Sequence, residues 1–348
     1  MRADISLVFG RSLIAALILC ASACGGGGIE DRRDAGNQDV GVDAGQADAG
    51  QADAGQVDAS PPLPDSSVPE GCDAVHAGTN TGFMVDGLAR TFILTLPEDI
   101  ATGGPFPVVF NWHGLGDTAA NMNQLLSGRV NTAGFHFILV TPEDSDFSLY
   151  GQVVDWEVFQ VDSATNREAR MFDEILACLR SKYPVDDNRI HSVGFSLGAI
   201  VSDMLGTVRG GQLASIATYS GGYFSNSANV ATLGMLSSYV SWPAPAHSNA
   251  YAQLFLHGGA SDTYNMQVTT IHFDVFAAND VAYLNGLGHD AVICDHGLGH
   301  TAPAPDMGPQ QVLEFLKDHP KGTTSSPYLA AGLPGDFASY CQFSAKNP

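Results

Sequence analysis

A serine framed by glycines has the surroundings of a catalytic nucleophile. The segment Gly194-Phe195-Ser196-Leu197-Gly198 follows a β-branched run and opens a helical pattern. A serine at such a sharp strand-to-helix turn has a strained backbone, so the residues two positions before and after it must be small. Gly194 and Gly198 meet this requirement. Because a hydroxyl exposed in this way attacks carbonyl carbons once a base takes its proton, we predict Ser196 to be a nucleophile.

The carboxylate that supports such a nucleophile is expected at the end of another strand. The segment Leu256-His257-Gly258-Gly259-Ala260-Ser261-Asp262 turns away from an apolar run and ends on an acid. A carboxylate in this place holds one imidazole nitrogen and stabilises the imidazolium that forms during the reaction. We predict Asp262 as this orienting acid. Asp295 is the alternative, although it lies only five residues before the predicted base.

Three histidines compete for the role of the base. His300 follows Gly297-Leu298-Gly299, on a loop after a predicted strand, and is the predicted base. His289 and His296 are the alternatives. These histidines could instead bind a metal ion together with Asp295, but spacings of four and seven residues on a glycine-rich loop are a weak zinc signal. The sequence therefore favours acid–base chemistry without a metal.

Backbone amides beside the nucleophile are expected to bind negative charge in the transition state. The segment His113-Gly114-Leu115-Gly116-Asp117 follows a predicted strand, and a loop of this kind can aim N–H groups at a developing oxyanion. We predict the amides of Leu115 and Leu197 as the donors, since Leu197 comes directly after the nucleophile. His113 is interpreted as a hydrogen-bonding residue that fixes the loop, and Asp117 as a helix cap.

The elements that must position these groups alternate between strand and helix. Alternation over this length implies a mostly parallel central sheet with helices on both faces. Side chains that follow the strands then meet at the carboxyl edge of the sheet, and the nucleophile, acid and base come in the chain order expected there. Strands are predicted at Thr91–Leu96, Val108–Trp112, Phe137–Thr141, Arg189–Val193, Ser215–Tyr219, Leu254–Leu256 and Ala291–Cys294. Helices are predicted at Asn121–Ala133, Asn166–Tyr183, Leu197–Val208, Met266–Leu284 and Pro309–Asp318.

The clearest of these helices is Asn166–Tyr183. It opens with Thr165-Asn166-Arg167-Glu168, which has the spacing of a capping box. Its apolar residues recur at the helical period, and Pro184 ends it. By contrast, the stretch 223–250 has weak periodicity, and we interpret it as a lid or a wall of the substrate cleft.

Residues 72 to about 320 resemble the α/β-hydrolase serine esterases of the polyhydroxybutyrate depolymerase and feruloyl esterase group. The resemblance implies an α/β-hydrolase fold and an extracellular hydrolase that uses Ser196, Asp262 and His300 without a metal or cofactor. It rests on His113-Gly114-Leu115-Gly116-Asp117, Val185-Asp186-Asp187-Asn188-Arg189-Ile190, Gly194-Phe195-Ser196-Leu197-Gly198, Ser220-Gly221-Gly222, His257-Gly258 with Asp262, and Gly297-Leu298-Gly299-His300.

The resemblance leaves the substrate open among polymer-linked and aromatic esters. Feruloyl, acetyl-polysaccharide and hydroxyalkanoate esters all fit a carboxylic ester hydrolase of this group. Aromatic rings near the site would suit such substrates, and we predict Trp156, Tyr223 and Trp242 as substrate contacts. A serine peptidase of the same fold is one alternative, although we find no motif for the charged ends of a peptide. A surface-tethered binding module without catalysis is the other, and the presence of all three triad residues argues against it.

The first 24 residues have the pattern of an export signal. Arg2 and Arg11 flank an apolar stretch that continues into the run 12–19, which is too short to cross a bilayer. Ala21-Ser22-Ala23 fits a cleavage site, but the same residues before Cys24 also resemble a bacterial lipobox. We predict a lipoprotein that is anchored through Cys24 at the cell surface or outer membrane, with simple secretion as the alternative.

The chain continues as a tether and then as one catalytic domain. Residues 25–71 repeat a five-residue unit of Asp, Ala, Gly and Gln, and they contain no aromatic residue. Such a segment cannot bury enough apolar surface to offset its ordering entropy, so we predict a disordered linker. The α/β-hydrolase domain is predicted over residues 72–348.

Charge and cysteine content agree with an exported protein. The chain has 37 acidic and 15 basic residues and a net charge of −22, which excludes nucleic acid as a partner. Four cysteines follow the signal region, and an even number in an exported domain predicts two disulfides in one of three pairings. A buried free thiol is the alternative for Cys178. The sequence does not indicate an oligomeric state. The disulfide candidates are Cys72, Cys178, Cys294 and Cys341.

Overall fold

A computed structural model describes residues 68–149, 152–245, 249–266 and 269–347. The predicted signal peptide over residues 1–24, the lipidation candidate Cys24 and all but the last residues of the predicted linker over 25–71 lie outside the described residues.

A nine-stranded sheet forms the centre of the described part of the chain. The strands are β1 Gly78–Val85, β2 Leu88–Thr95, β3 Phe106–Trp112, β4 Ile138–Pro142, β5 Val185–Phe195, β6 Ser215–Tyr219, β7 Ala252–His257, β8 Ala291–Asp295 and β9 Cys341–Ser344. Their spatial order is β1-β2-β4-β3-β5-β6-β7-β8-β9. Strands β4, β3, β5, β6, β7 and β8 pair in parallel, whereas β1, β2 and β9 pair antiparallel at the two edges.

Helices and short hairpins connect these strands. Two-residue and three-residue hairpins pair Asn131–Thr132 with Phe135–His136, Phe147–Leu149 with Gln152–Val154, and Thr263–Asn265 with Thr270–His272. The helices are α1 Ala119–Leu126, α2 Arg167–Lys182, α3 Leu197–Arg209, α4 Ser227–Thr232, α5 Phe273–Gly286, α6 Pro309–Asp318 and α7 Tyr328–Ala331.

The sheet has an apolar core on each face. Alternate residues of β3 show the division, because Val108 and Phe110 pack with α2 and α3 whereas Val109 packs with α1 and α6. All seven residues of β3 are buried. A strand that is covered on both faces in this way has a nearly continuous apolar sequence. The predicted mostly parallel sheet with helices on both faces is therefore confirmed.

All seven predicted strands belong to the central sheet, but its two edge strands were not predicted. β1 has a bulge between Thr81 and Phe83, which interrupts the alternation of buried and exposed residues. β9 has only four residues and pairs with β8. Because β1 is half exposed and interrupted by its bulge, and β9 is short, the period-2 pattern of both edge strands is weak.

The predicted extents of α1 and α5 and the predicted cap of α1 need correction. α1 is shorter than predicted and ends at Leu126, and its N-cap is Thr118 rather than Asp117, since the Thr118 hydroxyl accepts the Asn121 amide. α5 begins at Phe273 instead of Met266, because the intervening residues form a hairpin that leads away from Asp262.

The predicted capping box of α2 was wrong. The cap is Asn166, whose Oδ1 accepts the backbone amides of Glu168 and Ala169. Glu168 does not reach back along its own helix. It forms a fully buried ion pair with Arg90 on β2, with a distance of 2.6 Å from Nη2 to Oε2. The acid at this position therefore ties the helix to the sheet.

Two disulfides are present in the described residues, and both pairings follow from the fold. Cys72 pairs with Cys178 of α2, and Cys294 of β8 pairs with Cys341 of β9. Cys178 is therefore not a free thiol. The second bridge joins strands that are already neighbours in register. Each bridge constrains the unfolded chain and contributes on the order of 2–4 kcal/mol to stability.

None of the helices in the described ranges is both long enough and apolar enough to cross a membrane.

A buried histidine in the central strand should make stability depend on pH. His191 of β5 is fully buried, with Nδ1 bonded to the Ser215 hydroxyl at 2.9 Å, and burial lowers its pKa from 6.5 to about 3. The His191 imidazole of the unfolded chain therefore binds a proton near pH 6.5, whereas in the folded chain it stays neutral until about pH 3. We expect this site to lower the unfolding free energy as pH falls from about 6.5, by at most about 1.4 kcal/mol per pH unit.

Urea unfolding of the wild type and of His191→Gln at about pH 7 and about pH 5 measures this contribution. The variant has no titrating group at this position, so its stability should fall less over that interval. His76→Gln removes an exposed histidine and should keep the wild-type slope. An unchanged pH dependence in His191→Gln would contradict the prediction.

Candidate active site

Ser196 sits at the sharp turn between β5 and α3. Its backbone has φ 55° and ψ −120°, which is a strained conformation for a residue with a side chain. A Cβ at Gly194 would overlap the carbonyl of Gly198, and a Cβ at Gly198 would overlap the carbonyls of Trp112 and His113. Both glycines are therefore required for the turn, as the sequence pattern predicts. The turn leaves the Ser196 side chain at the carboxyl edge of the sheet.

The structure brings the three predicted triad residues together at this edge. Ser196 follows β5, Asp262 follows β7 through the turn Gly259–Ser261, and His300 follows β8. His300 Nε2 lies 2.9 Å from Ser196 Oγ, and His300 Nδ1 lies 2.7 Å from Asp262 Oδ1. Since a carboxylate only accepts hydrogen bonds, Nδ1 carries the proton and Nε2 is free to accept from the hydroxyl.

Asp262 is fully buried and receives hydrogen bonds on both carboxylate oxygens. His300 donates to Oδ1, while the Gly258 amide at 2.9 Å and the Ser220 hydroxyl at 2.8 Å donate to Oδ2. Burial alone would raise the pKa of Asp262. The three donors outweigh burial and hold this pKa below its ordinary value, so the carboxylate is charged.

Two phenyl rings hold the His300 imidazole between them. Phe273 stacks on it with ring centroids 4.8 Å apart and an interplanar angle of 18°, and Phe195 lies at 4.9 Å. The backbone of Phe273 is also tied to the site, because its amide donates to the Asp262 carbonyl at 3.0 Å. The ring can therefore present only its edges to Ser196 and Asp262.

The alternative bases and the alternative acid lie in other environments. His289 is buried with Nδ1 bonded to the Tyr251 carbonyl, and the Nδ1 of His296 accepts the Leu298 amide. Asp295 is exposed and accepts the amide of Gly297. The alternative metal cluster on this loop is disfavoured on chemical grounds, since both nitrogens of His300 are already bonded to Ser196 and Asp262.

The predicted oxyanion loop lies directly against the nucleophile. A Cβ added at Gly114 would be 3.3 Å from the Cβ of Ser196. The Gly116 amide is occupied, because it donates to Asp155 Oδ2 at 2.6 Å. Leu197 is the first residue of α3, where helix geometry leaves the N–H without an intrahelical partner. Gly114 of this loop lies against Ser196 and Leu197 follows Ser196 in the chain, and the amides of Leu115 and Leu197 stay the predicted oxyanion donors.

His113 anchors this loop, and it does so beside two carboxylates. Its buried ring bonds the Gly114 carbonyl through Nδ1 at 2.9 Å, and its Nε2 lies 3.3 Å from Glu143 Oε1 and 3.8 Å from Asp144 Oδ1. Burial alone would lower the pKa of His113, but the bond to Glu143, the Gly114 carbonyl and the charge of Asp144 raise it. The interpretation of His113 as a residue that fixes the loop agrees with these contacts.

Two of the three aromatic residues predicted to contact substrate belong to the core. Tyr223 is fully buried, and its hydroxyl bonds Gln253 and Tyr251. Trp156 is also fully buried and donates to the His113 carbonyl at 3.0 Å. Neither can touch a substrate, so these two predictions were wrong. Trp242 is half-buried, donates to the Val158 carbonyl and packs on Phe224.

Sequence reasoning missed three residues that support the triad and its loop. Ser220 stands only within a matching segment of the sequence, yet its hydroxyl bonds the Asp262 carboxylate. Phe273 was placed inside a helix, and Asp155 was not singled out. The contact of Ser220 with Asp262 and the stacking of Phe273 on His300 depend on which strands lie side by side, which no local pattern reveals.

Three potential metal-binding side chains do meet among the described residues, but away from the His300 loop, where a metal site was the alternative to the predicted base. Ligand atoms of His113, Glu143 and Asp144 lie within 4.8 Å of one another. The Nδ1 proton of His113 is used by the Gly114 carbonyl, and the raised pKa favours a charged ring that pairs with the acids. We therefore interpret this group as an ion-paired cluster.

Comparisons with known proteins agree with this arrangement. Residues 105–268 match the phospholipase/carboxylesterase family, a stretch that includes the oxyanion loop, Ser196 and Asp262 and ends before His300. Feruloyl esterase D of Neurospora crassa is 25% identical over 146 residues, which are 41% of this chain and 49% of that protein. The chain thus spans about half the length of this curated relative.

Solved structures share the fold over most of the chain. The crystal structure of native pOPH superposes with a TM-score of 0.63 and 17% identity, and it covers 82% of this chain and 98% of its own. Native sOPH gives a TM-score of 0.61 and 18% identity, covering 80% of this chain and 96% of its own. The chain has the α/β-hydrolase fold, and the family match and the relative support an esterase-type hydrolase.

The close approach of two loops should control the reactivity of Ser196. The Gly299 amide donates to the Gly258 carbonyl at 2.9 Å, and a Cβ at Gly258 would overlap the Gly299 carbonyl. Gly258→Ala must therefore push the His300 loop away from Asp262. Because a displacement of about 1 Å can cost about a hundredfold in rate, we expect Ser196 to react with a fluorophosphonate about a hundredfold more slowly.

Gly128→Ala is the matched control, since a Cβ at Gly128 meets nothing within 4 Å. Labelling rates should be compared after circular dichroism has shown that both variants are folded. If Gly258→Ala reacts with the fluorophosphonate at the wild-type rate, the contact between the two loops does not hold the triad in place.

Proposed function

We propose that this α/β-hydrolase is an exported serine esterase that cleaves carboxylic esters through an acyl-enzyme, with Ser196, His300 and Asp262 as the triad. The observation that carries the proposal is the continuous hydrogen-bond chain from Ser196 Oγ through His300 to the buried Asp262 carboxylate. A nucleophile, a base and a group that orients the base are the three parts that acyl transfer requires.

In the first half of the reaction, Ser196 Oγ attacks the ester carbonyl while His300 Nε2 takes the hydroxyl proton. The carbonyl oxygen becomes an oxyanion, which the amides of Leu115 and Leu197 bind. The imidazolium at His300 is stabilised by the charged Asp262. His300 then gives its proton to the departing alkoxide, the ester C–O bond breaks, and the acyl group remains on Ser196.

In the second half, water takes the place of the alcohol. His300 Nε2 removes a proton from water, and the resulting hydroxide attacks the acyl-enzyme carbonyl. The tetrahedral intermediate uses the same two amides. His300 returns the proton to Ser196 Oγ as the carboxylic acid leaves. The net reaction consumes one ester and one water and yields one acid and one alcohol, without a cofactor.

We propose polymer-linked or aromatic esters as the substrate class, with feruloyl, acetyl-polysaccharide and hydroxyalkanoate esters as the candidates. The name of the Neurospora crassa relative supports feruloyl esters among these three candidates. The charge around the site supports uncharged substrates in general. Asp155 bonds the oxyanion loop, and its pKa is raised by burial and by the charges of Asp144 and Asp146.

Asp144, Asp146 and Asp155 together form an acidic flank of the site. Burial and the charge of Asp155 both raise the pKa of Tyr264, which lies two residues after the triad acid. Feruloyl esters, acetyl esters and internal hydroxyalkanoate esters carry no charge at neutral pH. They would escape the repulsion that an anionic ester meets beside these carboxylates.

The proposed location is outside the cytoplasm, with a lipid anchor at Cys24 and the residues that follow it as a tether. Two disulfides in the described residues support an oxidising compartment. The anchor itself rests on the sequence pattern before Cys24. Such a placement would keep the enzyme on the producing cell while its catalytic domain reaches substrates outside.

Replacing the nucleophile tests the reaction class. We expect Ser196→Ala to lower kcat for 4-nitrophenyl acetate at least about a thousandfold, because no other group can form the acyl-enzyme. A fluorophosphonate should label Ser196 in the wild type and leave the variant unlabelled. Normal turnover by Ser196→Ala would reject the assignment, and an inactive, unlabelled wild type would favour a binding module.

A matched pair of esters tests the substrate class. Methyl ferulate and a cinnamate ester with a ring carboxylate differ mainly in charge, and at low salt we expect kcat/KM to favour the neutral ester at least about tenfold. The ratio should shrink in high salt and in Asp155→Asn. Equal kcat/KM values would contradict the role of the acidic flank. Ferulate, acetyl-xylan and hydroxybutyrate oligomers, compared by kcat/KM, then separate the three candidates.

A further inference from the structure

We infer that Ser220 is a positioning residue of the triad, whose hydroxyl fixes the carboxylate oxygen of Asp262 that His300 does not use. The inference rests on the proposed function, because it concerns the orientation of the proposed triad acid. Ser220 itself lies outside the path of the proton between Ser196 and His300.

The contact is direct and completely enclosed. Ser220 is 2% exposed and Asp262 is fully buried, and the Ser220 hydroxyl lies 2.8 Å from Asp262 Oδ2. Because an ionised carboxylate has no hydrogen to donate, the hydroxyl must point its proton at Oδ2. The Gly258 amide donates to the same oxygen at 2.9 Å. Oδ2 is thus held from two directions.

The backbone of Ser220 indicates that its side chain is needed there. Ser220 has φ 58°, in the left-handed region where glycine is favoured, and two glycines follow it directly in the chain. A glycine would occupy this position at lower cost. A strained residue persists where its surroundings require it, and such residues cluster at functional sites. Within its contacts, the hydroxyl bond to Asp262 is the interaction that a glycine could not make.

Strand order explains why this particular residue reaches the acid. Ser220 directly follows β6, which lies between β5 with the nucleophile and β7 with the acid. The Ser220 amide donates to the Leu256 carbonyl on β7, and the Ser196 amide donates to the Tyr219 carbonyl on β6. The end of β6 therefore links the two neighbouring loops that carry catalytic groups.

Loss of the hydroxyl has two consequences for the reaction. The Asp262 carboxylate keeps one donor on Oδ2 and can rotate about its Cβ–Cγ bond, which weakens the alignment of His300 with Ser196. Negative charge also shifts toward Oδ1, which favours the protonated imidazole. The first effect lowers kcat, and the second moves the acid limb of the kcat/KM profile to higher pH.

Ser220→Gly separates this role from a structural one. The variant removes a buried hydrogen bond but also relieves the positive φ, so the two effects oppose each other and the melting temperature should change little. We expect kcat to fall about tenfold, as for a lost hydrogen bond to a charged group, with KM little changed and the acid limb shifted upward. Ser220→Cys, which keeps a weak S–H donor, should have a kcat between those of the wild type and Ser220→Gly.

Ser215→Ala is the matched control, because Ser215 is a fully buried serine at the other end of β6. It should keep the wild-type kcat and pH profile. A loss of kcat in Ser220→Gly that is matched by Ser215→Ala would assign the effect to the strand and overturn the inference. Wild-type kcat and pH profile in Ser220→Gly would overturn it as well.

A readout without substrate separates failure of this inference from failure of the proposed function. The proton between His300 and Asp262 should give a far-downfield NMR resonance in the wild type. We expect that resonance to shift or broaden in Ser220→Gly and to stay unchanged in Ser215→Ala. If the wild type hydrolyses no ester, the proposed function fails, and the resonance still decides whether Ser220 holds the carboxylate. An unchanged resonance in Ser220→Gly would overturn the inference.

Discussion

The site depends on keeping one carboxylate charged in the interior of the protein. Asp262 has no access to water, and an isolated charge in such a place is costly. The protein offsets this cost with three donors that come from three different segments: Ser220 after β6, Gly258 after β7 and His300 after β8. Each segment is in turn fixed by the acid. The strand order therefore brings the three donors to Asp262, and their hydrogen bonds to the charged carboxylate hold the three loops together.

The second requirement is that the loops approach more closely than ordinary side chains allow. Gly198 touches the carbonyls of Trp112 and His113, Gly114 lies against Ser196, and Gly258 lies against Gly299. At each of these contacts a missing Cβ lets one backbone pack on the next. The glycines of the sequence motifs thus do more than permit turns. They set the distances among the nucleophile, the oxyanion loop and the base.

The sequence predicts the parts of the fold that have their own local pattern. The buried parallel strands, the turn at Ser196 and the order of the triad could be inferred because each depends on a short run of residues. Trp156 and Tyr223 could not be placed in this way, since an aromatic residue fits both a core and a cleft. Their burial follows from contacts with residues that are distant in the chain. Ser220 was missed for the same reason.

Other buried acids in the described residues show what distinguishes the Asp262 carboxylate. Asp203 and Asp280 hold the backbone that follows Ser220, accepting the amides of Gly222 and Tyr223. Burial raises the pKa of Asp280 to about 7, and burial together with the charge of Asp280 raises the pKa of Asp203.

Asp280 receives at least as many hydrogen bonds as Asp262, from the Tyr223 amide, Asn226 and Asn229. The number of donors therefore does not explain why the pKa values of the two acids move in opposite directions. Asp262 lies at the carboxyl edge of the sheet and faces His300, which would become positive in the proposed reaction, whereas Asp203 and Asp280 lie deeper, beside each other and neutral amides. A partner that can carry positive charge is what makes a buried acid suitable for catalysis, and among these three only Asp262 bonds such a partner in the described residues.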